Sequence, residues 1–320
     1  MHDSKRYNCR EKGFARRTRV RGLGFVDTRS DLRYFRHVTA IASTFTSLPF
    51  TQFRKHKHFY LWYDGVWAVL FVAALAAMRA IDHQPLIQTW DPRVMLLLPV
   101  FLQAVILSNV WVHCATHNAF PRAINRLVGE ICGLVVLTRF ASWEIVHQRH
   151  HKYSDDVEKD PHPVEPGYWR FLLHMILNVE KQLQQQYLDT FGDTPENRRH
   201  EKIRAIASFG TGALLIACWY ALLGPIAFFA LFVPANIIGI LHLGHFNWST
   251  HDATSPTKNF RPVNLDHGFF WVGNRIWHGI YFHANHHKKA GLFNPMKVDL
   301  GFPLTDPRAE RAEYDRTHKG

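Results

Sequence analysis

Histidine is the residue type that most needs an explanation in this chain. There are 22 in 320 residues, and four groups fall at repeated spacings: His113-x-x-x-His117, His147-x-x-His150-His151, Asn247-x-x-x-His251 and His283-x-x-His286-His287. In a helix, residues three and four apart share a face with about 5–6 Å between neighbours, so each group aims its side chains one way. A lone histidine on an apolar face is usually a core or surface residue. Nine of them in four such groups, with an asparagine, point instead to metal binding. Neutral imidazole suits zinc, iron, copper and nickel alike. Number narrows the choice, because a zinc ion takes three or four protein ligands. Nine histidines exceed one ion and suit two ions with four or five ligands each. The H-E-x-x-H of zinc proteases is absent. The Glu-x-x-His pairs of soluble di-iron bundles have one counterpart, Glu144-x-x-His147. The expectation is a histidine-rich two-iron centre.

The elements that must position these groups are apolar. Hydrophobic residues are 47% of the chain, charged residues 20% and aromatic residues 14%, and the mean hydropathy of −0.17 resembles a soluble protein. That average hides four runs, at about 59–81, 94–112, 206–223 and 226–241. A helix needs about 20 apolar residues to cross the hydrocarbon of a bilayer. We therefore expect an all-α integral membrane protein with four transmembrane helices in two hairpins. A cytosolic helical cap would carry the histidines. Asp64 and Arg79 lie near the ends of the first run, where they can reach the interface. Trp62, Trp90 and Trp111 fit an interfacial aromatic belt. The stretch 127–137 is too short to span and reads as an interfacial or buried helix.

Residues 1–58 form a basic tail with 14 Lys and Arg against 4 Asp and Glu, which accounts for most of the net charge of +12. Such a segment could bind nucleic acid or anionic lipid, but apolar runs follow it, so it reads as a cytosolic tail obeying the positive-inside rule. No nucleic-acid partner is expected, and no signal-peptide pattern is present. The membrane domain would run over 59–295, with a cytosolic C-terminal tail over 296–320. Both termini and all four histidine groups would then share the cytosolic side of a bacterial inner membrane or the endoplasmic reticulum.

The boxes H-x-x-x-H, H-x-x-H-H and H-x-x-H-H, with N-x-x-x-H ahead of the last, resemble the membrane fatty acid desaturases and their hydroxylase relatives. The likeness runs from about residue 60 to 295, and the stretch HHKYSDDVEKDPH is similar to the second box of acyl desaturases. The resemblance implies that His113, His117, His147, His150, His151, His251, His283, His286 and His287 ligate two non-haem iron ions, with O₂ as co-substrate and Asn247 beside one iron. It implies desaturation of a fatty acyl or lipid chain. HANHHKKAGLFNP around the third box departs from the commonest desaturase form and leaves the substrate subgroup open. Alkane hydroxylases share the Asn247-Trp248-x-x-His251 pattern but usually carry an extra residue in the second box.

Carboxylates that accept the second N–H of a ligating imidazole orient the ring. Glu144, Asp155, Asp156, Asp160 and Asp252 lie near the histidines in sequence and are candidates, with His162, His242 and His245 as further neighbours. The other histidines, His200 among them, read as surface or interfacial. The four cysteines form no C-x-x-C pair, and no Gly-rich dinucleotide fingerprint or haem domain is recognisable. Electrons are expected from a separate ferredoxin, rubredoxin or cytochrome b5 type protein. Two other readings stand beside desaturation: a hydroxylase or alkene-forming oxygenase on the same scaffold, and, from another class, a membrane metal transporter.

Overall fold

The computed structural model describes residues 47–162, 165–253, 255–257 and 260–318. Most of the basic segment expected over 1–58 therefore lies outside the described residues. Those described form helices and no strand: α1 (Pro49–Phe53), α2 (Phe59–Ala80), α3 (Leu98–Thr116), α4 (Arg122–Val135), α5 (Phe140–Tyr153), α6 (Tyr168–Phe191), α7 (Pro195–Ala227), α8 (Val233–Thr250), α9 (Gly268–Ile276), α10 (His283–Lys288) and α11 (Pro307–His318). Within the segment assigned to the tail, α1 packs into a core cluster. Its Phe53 is buried with Tyr60, Tyr63, Ile145, Leu183 and Tyr187.

Three helical runs are long and apolar enough to cross a membrane: Phe59–Ala80, Pro92–Thr116 and Pro195–Thr250. The last holds both of the final two expected segments in 56 residues, so four separate spans are not what the helix boundaries give. The chain nevertheless reverses inside this run. Gly224 has φ +73° and ψ 168°, followed by Pro225, and Trp219 stacks on Phe232 with ring centroids 4.8 Å apart. A straight helix would separate residues thirteen apart by about 20 Å. Beyond the reversal, a π turn (Phe228–Phe232) leads into α8.

The loop after α2 meets this reversal. The Leu86 N–H donates to the Leu223 carbonyl at 3.2 Å, and His83 Nε2 lies 2.9 Å from the Leu222 carbonyl. Val94, Leu98 and Phe101 pack on Phe228, Leu231 and Phe232. From this end α3 and α8 run side by side, and each terminates on a histidine as its C-cap, His117 and His251. Eighteen residues of α8 advance about 27 Å, close to the thickness of the hydrocarbon core. The histidines thus gather at the far end of the apolar helices from the loop contacts.

The outer faces of these helices are apolar and their interior is partly polar, as suits a protein solvated by lipid. On α2, Val69 and Val72 are exposed while Asp64 is buried. Asp64, expected near the interface, is buried within the protein. It accepts Arg139 Nη1 at 2.7 and 2.8 Å and Ser208 Oγ at 2.9 Å, because an intramembrane charge is tolerable only when paired. Arg204 pairs likewise with Glu201 and Glu180, and Arg126 with Glu130, which also takes the Tyr63 hydroxyl. Trp62 and Trp90 are exposed, but Trp111 turns inward, edge-on to Phe120 at 6.1 Å. The amphipathic α4 exposes Ile124, Leu127 and Ile131 on one side, in keeping with an interfacial helix.

Gly224 makes the reversal possible. Its positive φ is costly for an L-residue, and a Cβ there would stand 2.4 Å from Pro85 Cβ. Gly224→Ala is expected to destabilise the protein by about 1–2 kcal/mol or more, read as a lowered melting temperature in detergent. An unchanged melting temperature would contradict the contact between the reversal and the α2–α3 loop.

Candidate metal centre

Four helices deliver the nine histidines. His113 stands in the last turn of α3 with His117 at its C-cap, His147, His150 and His151 lie on α5, His251 caps α8, and His283, His286 and His287 lie on α10. The side chains sort into two groups whose donor atoms lie within 4.8 Å of one another: His113, His117, His147, His151 and His286 in one, and His150, His251, His283 and His287 in the other. In the first, Nε2 atoms approach at 2.9 Å (His147 and His117), 3.0 Å (His151 and His147) and 3.1 Å (His286 and His151). In the second, His283 Nε2 lies 3.0 Å from that of His251 and 3.1 Å from that of His287. The groups adjoin, with His151 stacked on His287 at 4.4 Å.

These residues fit bound cations. The Nε2 atoms of His113 and His150, one in each group, are buried without a hydrogen-bond partner, and an orphaned buried acceptor costs about 1–3 kcal/mol. Converging lone pairs cannot all satisfy one another, whereas nitrogens bound about 2.1 Å from a shared ion at right angles stand about 3.0 Å apart. Burial first, and neighbouring imidazoles second, hold His147, His150, His283 and His286 well below the ordinary histidine value. His151 is brought down to about 4, mainly by burial. Neutral imidazole is the form that binds metal.

Two of the candidate carboxylates orient rings. Asp160 Oδ1 accepts from His150 Nδ1 at 2.7 Å, which leaves His150 Nε2 for the group of four. Burial pushes the Asp160 carboxyl up to about 8. A cation at the far nitrogen of His150 acts in the opposite sense and favours the carboxylate. Asp155 has φ +63°, a conformation Asp tolerates, and its Oδ1 accepts from His251 Nδ1 at 3.0 Å. The Asp155 N–H donates in turn to Asp160.

The other three carboxylates serve other partners. Glu144 accepts the Phe50 N–H at 2.8 Å and fastens α1 to α5. Asp156 accepts the N–H groups of Glu158 and Lys159 and closes a turn. Asp252 faces Arg261 at 3.9 Å. His242 Nε2 pairs with the Tyr281 hydroxyl at 3.0 Å, and His245 stacks on Phe270. His162 lies on His150, with ring centroids 4.0 Å apart. His200, expected at the surface, is stacked on Tyr187 and buried.

A cavity of about 250 Å³ leads away from the histidines, with His147, His162 and Asn247 at one side and Leu137, Val179 and Ile240 among its apolar walls. Asn247 donates to the Leu243 carbonyl at 3.0 Å and holds its place on this wall. Trp143 lies nearly parallel to the His147 ring at 6.3 Å. Asn109 and Asn236 also line the cavity. Sequence reasoning passed over both, although an asparagine inside an apolar run is a visible signal of a polar interior.

The fatty acid desaturase family model matches residues 88–292, more than half of the sequence. The chain belongs to the fatty acid desaturase family. It resembles the sn-1 oleoyl-lipid 12-desaturase of Picosynechococcus sp. at 39% identity over 70 residues, a stretch covering 20% of either chain. It resembles the Delta(12) fatty acid desaturase DES8.11 of Calendula officinalis at 26% identity over 265 residues, covering 68% of this chain and 69% of that one. No solved structure matches. As a desaturase-family protein the chain is an oxidoreductase of fatty acid metabolism, and with its apolar helices it is an integral membrane protein. Its histidine groups are able to bind metal.

Two outcomes check the site. Asp160→Asn is expected to weaken metal retention about 10–100-fold, read as iron per chain across a chelator titration; unchanged retention would contradict the role of the His150–Asp160 pair. For metal-free protein, His151 falls from 6.5 unfolded to about 4 folded, so the unfolded state binds more protons in between. Stability should therefore drop as pH falls from 6.5 toward 4. A melting temperature that stays flat over that window would show that the imidazoles are not buried as described.

Proposed function

We propose that this chain is an O₂-dependent fatty acyl desaturase. His113, His117, His147, His151 and His286 would hold one iron, and His150, His251, His283 and His287 a second. Asn247 would stand beside one of them through water. The observation that supports this most strongly is the convergence of nine imidazoles, five and four, at the side of an apolar cavity. Electrons come from a separate ferredoxin, rubredoxin or cytochrome b5 type protein. The histidine groups and both termini lie on the cytosolic side of a bacterial inner membrane or the endoplasmic reticulum.

Iron bound at these groups supplies the O₂-dependent oxidising power to take hydrogen from an unactivated C–H bond, a step beyond side-chain acid–base chemistry. Overall, two hydrogens leave neighbouring carbons, O₂ is reduced to two waters, the donor protein supplies two electrons and solvent supplies two protons. The chain's own residues place the substrate. Leu137, Val179, Ile240 and Leu243 hold an acyl chain by apolar contact and exclude water from the reacting carbons. Trp143 and Asn247 flank the chain where it passes His147. Asp160 and Asp155 keep the rings of His150 and His251 in one orientation.

The test is product analysis in a host of defined lipid profile with the electron donor co-expressed. Both relatives are named for position 12, so oleoyl chains are the first to supply. Wild type should introduce a double bond and His286→Ala should not. A hydroxylated chain or a shortened alkene would move the assignment to a hydroxylase or a decarboxylase. No new product with a functional donor would contradict the proposal.

A further inference from the structure

The wall of the cavity between α6 and α8 is also the outside of the molecule. Ile176 on α6 and Ile240 on α8 both line the cavity, and they are 48% and 42% exposed. The surface around them is apolar: Leu173 and Leu177 flank Ile176, and Ile237 and Ile238 precede Ile240, all exposed. Nearer the histidines the cleft between the two helices is closed. Leu172 meets Gly244 so tightly that a Cβ on the glycine would stand 2.6 Å from Leu172 Cδ1. The Tyr168 hydroxyl donates to the Leu241 carbonyl at 2.7 Å, and the Trp248 indole N–H to the Pro166 carbonyl at 3.1 Å. The cleft is therefore bridged at the polar end, and farther along α8 its exposed lining residues are Ile176 and Ile240.

We infer that the acyl chain enters sideways from the bilayer through this cleft, past Ile176 and Ile240, while still esterified to a membrane lipid. The inference rests on the acyl-chain reading of the cavity above and narrows its substrate class to a bilayer glycerolipid. A soluble acyl thioester would have to carry its chain in from the aqueous end, and between α6 and α8 that end is closed by the contacts of Tyr168, Leu172 and Trp248. A chain already in hydrocarbon leaves one apolar medium for another and meets only side chains that can change rotamer. No headgroup has to cross the protein interior, since the cavity opens at the surface the lipid already touches.

The experiment uses the full chain in phosphatidylcholine vesicles that contain a phosphatidylcholine with a diazirine in one acyl chain. Illumination is followed by mapping of the labelled peptides. Wild type should be labelled at cavity residues such as Met175, Val179 and Trp143. Ile176→Trp and Ile240→Trp should lose that labelling, and Ile176→Ala should label faster. Leu177→Trp and Ile237→Trp, on the same outer surfaces but off the cavity, should label as wild type. A diazirine-bearing acyl thioester added from water should not label the cavity. The opposite direction expected for the alanine variant separates a blocked entrance from a misfolded protein. Undiminished labelling in both blocking variants, or cavity labelling by the thioester in place of the lipid, would overturn the inference. Labelling requires neither iron nor O₂. The predicted labelling pattern without any double bond formed would therefore sink the desaturase reading and leave the entrance standing, whereas no cavity labelling in any protein would sink the entrance.

Discussion

The structure depends on one constraint: nine imidazoles must stand together with their ring nitrogens converging on two points. No arrangement of hydrogen bonds among them satisfies that geometry, and a buried acceptor without a partner is costly. The fold therefore has to hold the rings in position by means outside the cluster. It does so with helix ends, since His117 and His251 are the C-caps of α3 and α8, and with the paired carboxylates Asp160 and Asp155. A bound cation turns the same arrangement from a liability into a source of stability, because ligation satisfies the converging nitrogens.

Such a cluster needs a rigid platform, and in an apolar solvent the platform cannot be held by hydrophobic burial alone. Buried ion pairs supply part of it. Arg139 joins Asp64 of α2 to Ser208 of α7, and Arg204 joins α7 to Glu180 of α6. Replacing one partner of such a pair typically costs about 3–5 kcal/mol, because the other charge is left uncompensated. Of these helices α6 also lines the apolar cavity, so the platform for the histidines and the housing for an acyl chain share an element. Close approach at Leu172 and Gly244 shapes both.

Much of the site was legible in the sequence because helical spacing carries direction. What spacing could not show is how the boxes divide. The i, i+4 pairs stay together: His113 with His117 and His147 with His151 in one group, His283 with His287 in the other. The residue at i+3 crosses over. His150 leaves its own box for the group of His283, and His286 does the reverse. That exchange ties α5 to α10 and depends on how the two helices meet, which no single helix encodes. The choice among carboxylates was hidden for a similar reason. Asp155 and Asp156 are neighbours, yet the left-handed backbone at Asp155 puts its carboxylate on His251 while Asp156 closes a turn. Asp64 read as interfacial because the charge that buries it, Arg139, is distant in sequence. The apolar runs gave the membrane class at once, but the fate of the last two turned on a single glycine.

The central claim is that the two histidine groups each hold an iron. The most direct measurement is the iron content of the purified protein together with its iron K-edge X-ray absorption spectrum. Nine imidazoles divided into the two observed groups predict two irons per chain, a first shell of nitrogen and oxygen, and the outer-shell scattering of several imidazoles. A single iron per chain, or sulfur in the first shell, would contradict the account.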